Sequence, residues 1–257
     1  MSDVIALNIW QFSLIYLLLV LVLFVMKKCK IHQTKLLVVA SLRMTVQLVL
    51  AGLILTYILD NPHPAFTALY LVLITGFAIH MALQRNKGIN GKFKLIVGVS
   101  LAGSGLAVVC FFIMAVVGVS IFNPQYTIPI SGMIIGNAMT GVSLGLKTFT
   151  ESLAARKNRI DALINAGATP QRILLPYANQ AIETALLPTL NSMLGMGIIF
   201  LPGMMTGQIL SGTAPTIAIL YQIAIIIAIT AVTCLAVFCA LFFGCRTLYN
   251  KRSQMIL

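Results

Sequence analysis

An all-α integral membrane fold with seven transmembrane helices is predicted by two observations: seven apolar stretches of spanning length run through the 257 residues, and sixteen of the seventeen Lys and Arg residues gather at alternate ends of those stretches. A span needs about 20 apolar residues to cross roughly 30 Å of hydrocarbon. A mean hydropathy of +1.01, with 60% hydrophobic and 9% charged residues, leaves too little polar cover for a soluble domain.

The cations form four groups: Lys27, Lys28, Lys30 and Lys35; Arg85, Lys87, Lys92 and Lys94; Lys147, Arg156, Lys157, Arg159 and Arg172; and Arg246, Lys251 and Arg252. Cationic side chains near span ends stay on the cytoplasmic side, so these groups predict an outward N-terminus and an inward C-terminus. The spans are expected near 4–26, 36–59, 65–83, 95–121, 128–146, 186–210 and 216–244. The first is too long for a signal-peptide core and follows Asp3 rather than a basic start, so it should remain as a helix. The outer turns 60–64, 123–125 and 211–215 carry no Lys or Arg. Residues 1–257 read as one membrane domain. A formal charge of +12 does not signal nucleic acid, because the cations are dispersed among short loops without interleaved stacking aromatics; anionic lipid headgroups are the expected partners.

One connection differs from the rest. Residues 147 to about 185 are too many for a turn and too polar for a span, which predicts a cytoplasmic helix-turn-helix between spans five and six. Leu153, Ile160, Leu163 and Ile164 recur at helical spacing among Lys and Arg. Gly167 supplies a stop that tolerates positive φ, and Thr169 followed by Pro170 reads as an N-cap and first helical residue. Pro176, Pro188 and Pro202 predict kinks or a break in the returning helix and the next span. Non-helical backbone at membrane depth persists only beside protein or a water-filled cavity, so Pro202, Gly203, Met204 and Met205 are pathway candidates, with a packing kink as the alternative.

Span five carries Gly132, Gly136, Gly141 and Gly145, a small-residue pattern that suits either an internal helix contact or a dimer interface. Asn137 in that span needs a hydrogen-bond partner. Arg43 and Gln47 share one face of span two; Arg43 either snorkels to the membrane surface or faces the pathway and pairs with Glu183, Asn137 or a backbone carbonyl.

The acids number five, and none lies at the centre of a span, where ion-coupled carriers bind their coupling ion; Glu183 comes nearest. Nothing in the chain forms a phosphate-binding loop: Gly91-Lys92 is followed by Phe93, and Asn86 stands where the first glycine belongs. Hydrolase signatures, HExxH and CxxC spacings are also missing, so enzyme chemistry, a bound cofactor and a metal site formed by His and Cys are not expected. The twelve Met residues include Met133, Met139, Met193, Met196, Met204 and Met205 near the pathway candidates, where they serve as core filler or as soft ligands.

Asp161-Ala162-Leu163-Ile164-Asn165-Ala166-Gly167 resembles the start of the EAA loop of ABC-importer permeases, E-A-A-x-x-x-G, with Asp for Glu and Leu for the second Ala. A broader resemblance, to the iron-export ABC permease family and its plant aluminium-tolerance relatives, is carried by five segments. These are 129–139 from Pro129 to Met139, Gly167-Ala168-Thr169-Pro170, Ala185-Leu186-Leu187-Pro188-Thr189, 201–207 and Tyr221-Gln222-Ile223, with Arg43 and Gln47 upstream. The resemblance implies a permease that exports iron or a related metal or metal complex, working with a separate ABC ATPase subunit that holds ATP and Mg, and with a second copy of itself. It also implies that Asp161, Ala162, Gly167, Ala168, Thr169, Pro170 and Arg172 form the ATPase-coupling segment. An ion-coupled carrier and a non-transporting scaffold or sensor are the alternative readings.

Overall fold

The computed structural model describes residues 8–31, 33–84, 86 and 89–249. Their helices are α1 (Ile9–Lys28), α2 (Thr34–Asp60), α3 (Pro64–Gln84), α4 (Gly91–Phe111), α5 (Pro124–Ala155), α6 (Lys157–Asn165), α7 (Pro170–Gly195), α8 (Gly203–Leu210) and α9 (Pro215–Cys245). Among the described residues, six helical segments are long and apolar enough to cross a membrane: α1, α2, α3, α4 with the turn after it, α5 and α9. The expected start of the first span at residue 4 and the cations Arg85, Lys87, Lys251 and Arg252 lie outside the described residues.

The expected span 186–210 takes a different form. Its first part is the end of α7, a 26-residue helix that begins at Pro170, and its last part is the short α8. Between them the chain leaves the helix: Gly197 has φ +83°, Gly197 N–H donates to the Phe200 carbonyl at 3.0 Å, and Met196 forms an isolated bridge with Phe200. Glycine reaches that left-handed conformation without a Cβ penalty, and Pro202 has no N–H with which to resume a helix, so the interruption falls here. Of the kinks or break expected at Pro176 and Pro188, neither is a break: α7 continues through both. The helix expected across 151–167 is also divided. α5 continues past its span to Ala155, the chain bends at Arg156 (φ −120°, ψ 23°), and α6 follows.

The described residues pack as two units, one comprising those up to Pro62 together with 210–212, the other comprising the remaining described residues. In the first, Tyr16 OH and Thr45 Oγ1 lie 2.7 Å apart and tie α1 to α2. Leu14, Leu17, Leu18 and Leu21 of α1 are exposed, an arrangement suited to lipid, where apolar surface carries no hydration penalty.

In the second unit α5 is the central element, in contact with α3, α4, α7 and α9. Ile134, Ile135, Ala138, Val142, Leu146 and Phe149 form its buried face. The four glycines of α5 do different work. A Cβ on Gly145 would stand 2.9 Å from Val237 Cγ1 and 3.3 Å from the Ala181 carbonyl, and one on Gly141 would overlap the methyl group of Thr233. Gly132 faces Ile74 Cδ1 at ordinary contact distance and Gly136 faces open space. The pattern read from sequence as an internal contact or an interface is therefore internal at Gly141 and Gly145.

Polar side chains lock the ends of this unit. Asn90 Nδ2 donates to the Thr247 carbonyl (3.1 Å) and Gln171 Nε2 to Tyr249 OH (3.0 Å), while Phe93 stacks on Phe149 at 6.3 Å. These contacts collect the α3–α4 turn, the end of α5, the start of α7 and the end of α9 at one end of the unit. Arg172 is in the first turn of α7, Arg156 and Arg246 directly follow α5 and α9, Lys92 and Lys94 are in the first turn of α4, and Lys157 and Arg159 are in α6, which follows α5. Thr67 Oγ1 donates to the Phe122 carbonyl (3.2 Å) and ties the start of α3 to the approach to α5. A π-helical turn, Phe112–Val117, which sequence spacing did not announce, ends α4 at Gly118 with φ +76°.

Replacing Gly145 by Ala should lower the melting temperature of the purified protein, at a cost of about 1–3 kcal/mol from overpacking. Gly136→Ala, where a methyl group meets nothing within 4 Å, should leave it unchanged. Equal melting temperatures for the two variants would remove the close-contact role of Gly145.

Candidate functional site

The first candidate region is the bend between α6 and α7. α6 buries Ile160 and half-buries Ile164, neighbours one turn apart on a helix. Leu163, expected on the same inward face, is exposed, because its position in the turn points the other way. Arg156 Cζ sits 5.6 Å from the centre of the Tyr177 ring and fixes the start of α6 against α7. The helix is therefore anchored on one side while Lys157, Arg159, Asp161, Ala162, Asn165 and Ala166 face outward.

Gly167 ends the helix with φ +85° and open space where a Cβ would be. The turn closes through Gly167 N–H to the Ile164 carbonyl (2.9 Å) and Ala168 N–H to the Leu163 carbonyl (3.0 Å). Thr169 stands at the N-cap of α7 with Pro170 next, as expected, but it acts through extended backbone (φ −70°, ψ 134°) and its hydroxyl makes no capping bond. Its carbonyl instead accepts from Arg172 (3.0 Å) and Ile173 (3.2 Å). Asp161, Ala162, Gly167, Thr169 and Arg172 are exposed, Ala168 is half-buried and Pro170 is buried. The result is a knob with one seated face and one exposed face.

The second region is the outer face of α5 and α7. Asn137, Thr140, Lys147 and Glu151 are exposed along α5, and Asn179, Gln180, Glu183 and Asn191 along α7. Asn137 satisfies one donor within its own helix, Nδ2 to the Met133 carbonyl at 2.7 Å. Sequence reasoning singled out Asn137 and Glu183 but missed Thr140, Gln180 and Asn191; their helical spacing was the available signal.

Pro202 and Met204 are half-buried, Gly203 is exposed and Met205 is buried. Two thioethers hold the approach to this break against α9: Met193 Sδ accepts from Thr230 Oγ1 and Met196 Sδ from Gln222 Nε2, both at 3.8 Å. Arg43 and Gln47 are exposed on α2 in the other unit, one turn apart. Among the described residues no group of three His, Cys, Asp or Glu is placed to hold a metal ion.

Comparison with known proteins agrees with this membrane architecture. The chain is 32% identical over 225 residues to "UPF0014 membrane protein YjkA" of Bacillus subtilis, covering 86% of this chain and 89% of that protein. It is 31% identical over 214 residues to "Probable iron export permease protein FetB" of Escherichia coli, covering 83% and 82%. Against "Protein ALUMINUM SENSITIVE 3" of Arabidopsis thaliana it is 32% identical over 184 residues, covering 71% and 66%. No solved structure gives a significant match. The model of the family described as "Uncharacterised protein family (UPF0014)" matches residues 9–249, so this multi-pass membrane protein belongs to the UPF0014 family.

Proposed function

We propose that the chain is one membrane half of a homodimeric ABC permease that exports iron or a related metal or metal complex, with ATP and Mg held by a separate ATPase subunit. The observation that carries this reading is the seated knob formed by α6 and Gly167. A short helix anchored by Ile160, Ile164 and Arg156, with its opposite face free, suits docking into a second subunit and transmitting its motion to α7. The Escherichia coli relative, named as a probable iron export permease protein, supports permease function and iron as substrate.

The membrane path follows from the same reading. The membrane half of α7, the break at 196–202 and α8 together make the remaining crossing, giving seven. The gathering of basic segments at one end of the second unit supports that end as cytoplasmic and the N-terminus as external. The exposed polar rows of α5 and α7 are costly against lipid but suited to a water-filled route. Two copies facing each other across these rows would enclose the route, with Asn137, Glu183 and the 202–205 segment along it.

Reconstitution tests the whole reading. Vesicles holding the chain alone should move no metal uphill, and vesicles also holding its ATPase partner should show ATP-dependent flux in a panel of metals. Gradient-driven pumping without the ATPase would assign the chain to ion-coupled carriers instead.

Gly167→Val should uncouple the assembled complex and leave ATP hydrolysis unresponsive to substrate, because a β-branched residue resists positive φ. Gly167→Asn, which tolerates that conformation, should retain most coupling. Substrate-stimulated hydrolysis at the unmodified rate in the Val variant would overturn the coupling role.

Asn137→Leu should reduce transport by about tenfold or more, the scale of one lost polar contact to substrate, with dimer formation unchanged. A Thr140→Cys variant should react with a membrane-impermeant thiol reagent in the assembled complex. Full transport by the first and no labelling of the second would remove this face from the route.

A further inference from the structure

α9 ends at Cys245, and the next residue, Arg246, lies at the junction of two clefts that flank the end of that helix. On one side, a cleft of about 310 Å³ separates α9 from the base of α7; Arg172, Leu175, Ala178 and Phe242 line it. On the other, a cleft of about 720 Å³ runs between α9 and α4, lined by Leu95, Val99, Gly103, Leu235 and Phe243. Arg246 lines both. Its Cζ stands 4.9 Å from the centre of the Phe242 ring and 5.8 Å from that of Phe243, one ring from each cleft. Cation–π contact with two rings holds the guanidinium at the point where the clefts meet.

We propose that Arg246, assisted by Arg172, binds the phosphate of an anionic diacyl phospholipid whose two acyl chains occupy the two clefts, so that the lipid straddles the end of α9. Charge and shape both select this occupant. Neither cleft is lined by an Asp or Glu, and neither arginine has a carboxylate within ion-pair distance among the described residues. Guanidinium groups match phosphate through paired N–H donors, and basic pockets between membrane helices favour anionic headgroups. Two apolar clefts converging on one cation fit two chains on one headgroup, whereas a free phosphate would leave both empty.

The bound lipid would bridge the first turn of α7, three residues beyond Thr169, to the end of α9. Occupancy would therefore stiffen the base of the helix that receives the Gly167 bend. This consequence rests on the coupling role proposed above; binding of the lipid does not.

The test uses the full chain purified in neutral detergent, with melting temperature and native mass spectrometry as readouts. Phosphatidylglycerol should raise the melting temperature and remain bound, while phosphatidylcholine with identical chains and inorganic phosphate should do neither. Arg246→Gln should weaken phosphatidylglycerol binding about tenfold or more, as expected for loss of a charged hydrogen-bonding partner. Arg172→Gln should have a smaller effect and Lys28→Gln none. Gly103→Leu fills the α4–α9 cleft where a Cβ meets nothing within 4 Å, so it should weaken binding with every cation intact. Equal effects of the two lipids, unchanged affinity in both Arg246→Gln and Gly103→Leu, or displacement of phosphatidylglycerol by inorganic phosphate would each overturn the proposal. Should Arg246→Gln fail to fold, Gly103→Leu decides alone.

Discussion

The close approach of α5 to α7 and α9 sets much of the second unit. At Gly141 and Gly145 no side chain intervenes, and the helix backbones come near enough that even a methyl group would collide with Thr233 or Val237. A helix has one register, so committing Ala138, Gly141, Val142 and Gly145 to the interior turns Asn137, Thr140 and Lys147 outward. Burial of the small residues and exposure of the polar row are thus two consequences of a single contact. In water that row would be an ordinary solvated face. Against hydrocarbon it needs cover, which makes it functionally informative.

A second constraint governs 196–202. Backbone outside a helix has unsatisfied donors and acceptors, and lipid supplies no partner for them. The break answers part of this demand locally: Ile199 N–H donates to the Gly195 carbonyl at 2.9 Å and Gly197 N–H to the Phe200 carbonyl. Separately, Thr230 and Gln222 reach the Met193 and Met196 sulfurs from α9, which holds the approach to the break in place without pairing its backbone. Methionine suits such a place because its thioether accepts weakly and its chain adapts to an irregular neighbour. The same adaptability makes these sulfurs available to a soft cation, so packing and ligation roles are compatible at one residue.

Much of this organisation was legible in the sequence because membrane helices obey a length rule and a charge rule. The limits of α2 and α3 lie within two residues of the apolar stretches that predicted them, and Gly167 and Pro170 occupy the turn positions their chemistry demands. Prolines were harder to interpret. Pro176, Pro188 and Pro202 look alike in a string of letters, yet α7 absorbs the first two and the chain breaks only near the third, where Gly195 and Gly197 add conformational freedom. The bend at Arg156 had no Gly or Pro to announce it. The π turn at the end of α4 leaves no residue signature either, since its cause is a shift of hydrogen-bond partners within an apolar run.

The location of the charged residues links the proposed coupling site with the proposed lipid site. Arg156 braces α6 through Tyr177, Arg172 lies in the first turn of α7, and Arg246 closes α9, all at the end locked by the Asn90–Thr247 and Gln171–Tyr249 bonds. A push delivered at Gly167 meets helices tied to one another at that end and divided by the 196–202 break toward the other. In that proposal the base of α7 would move with the helices it is tied to, while 196–202 lacks the continuous helical bonds of α7. Under the proposed coupling role, the cross-braced end would serve as the input and the interrupted 196–202 segment as the part that changes shape, the division of labour an alternating pathway requires.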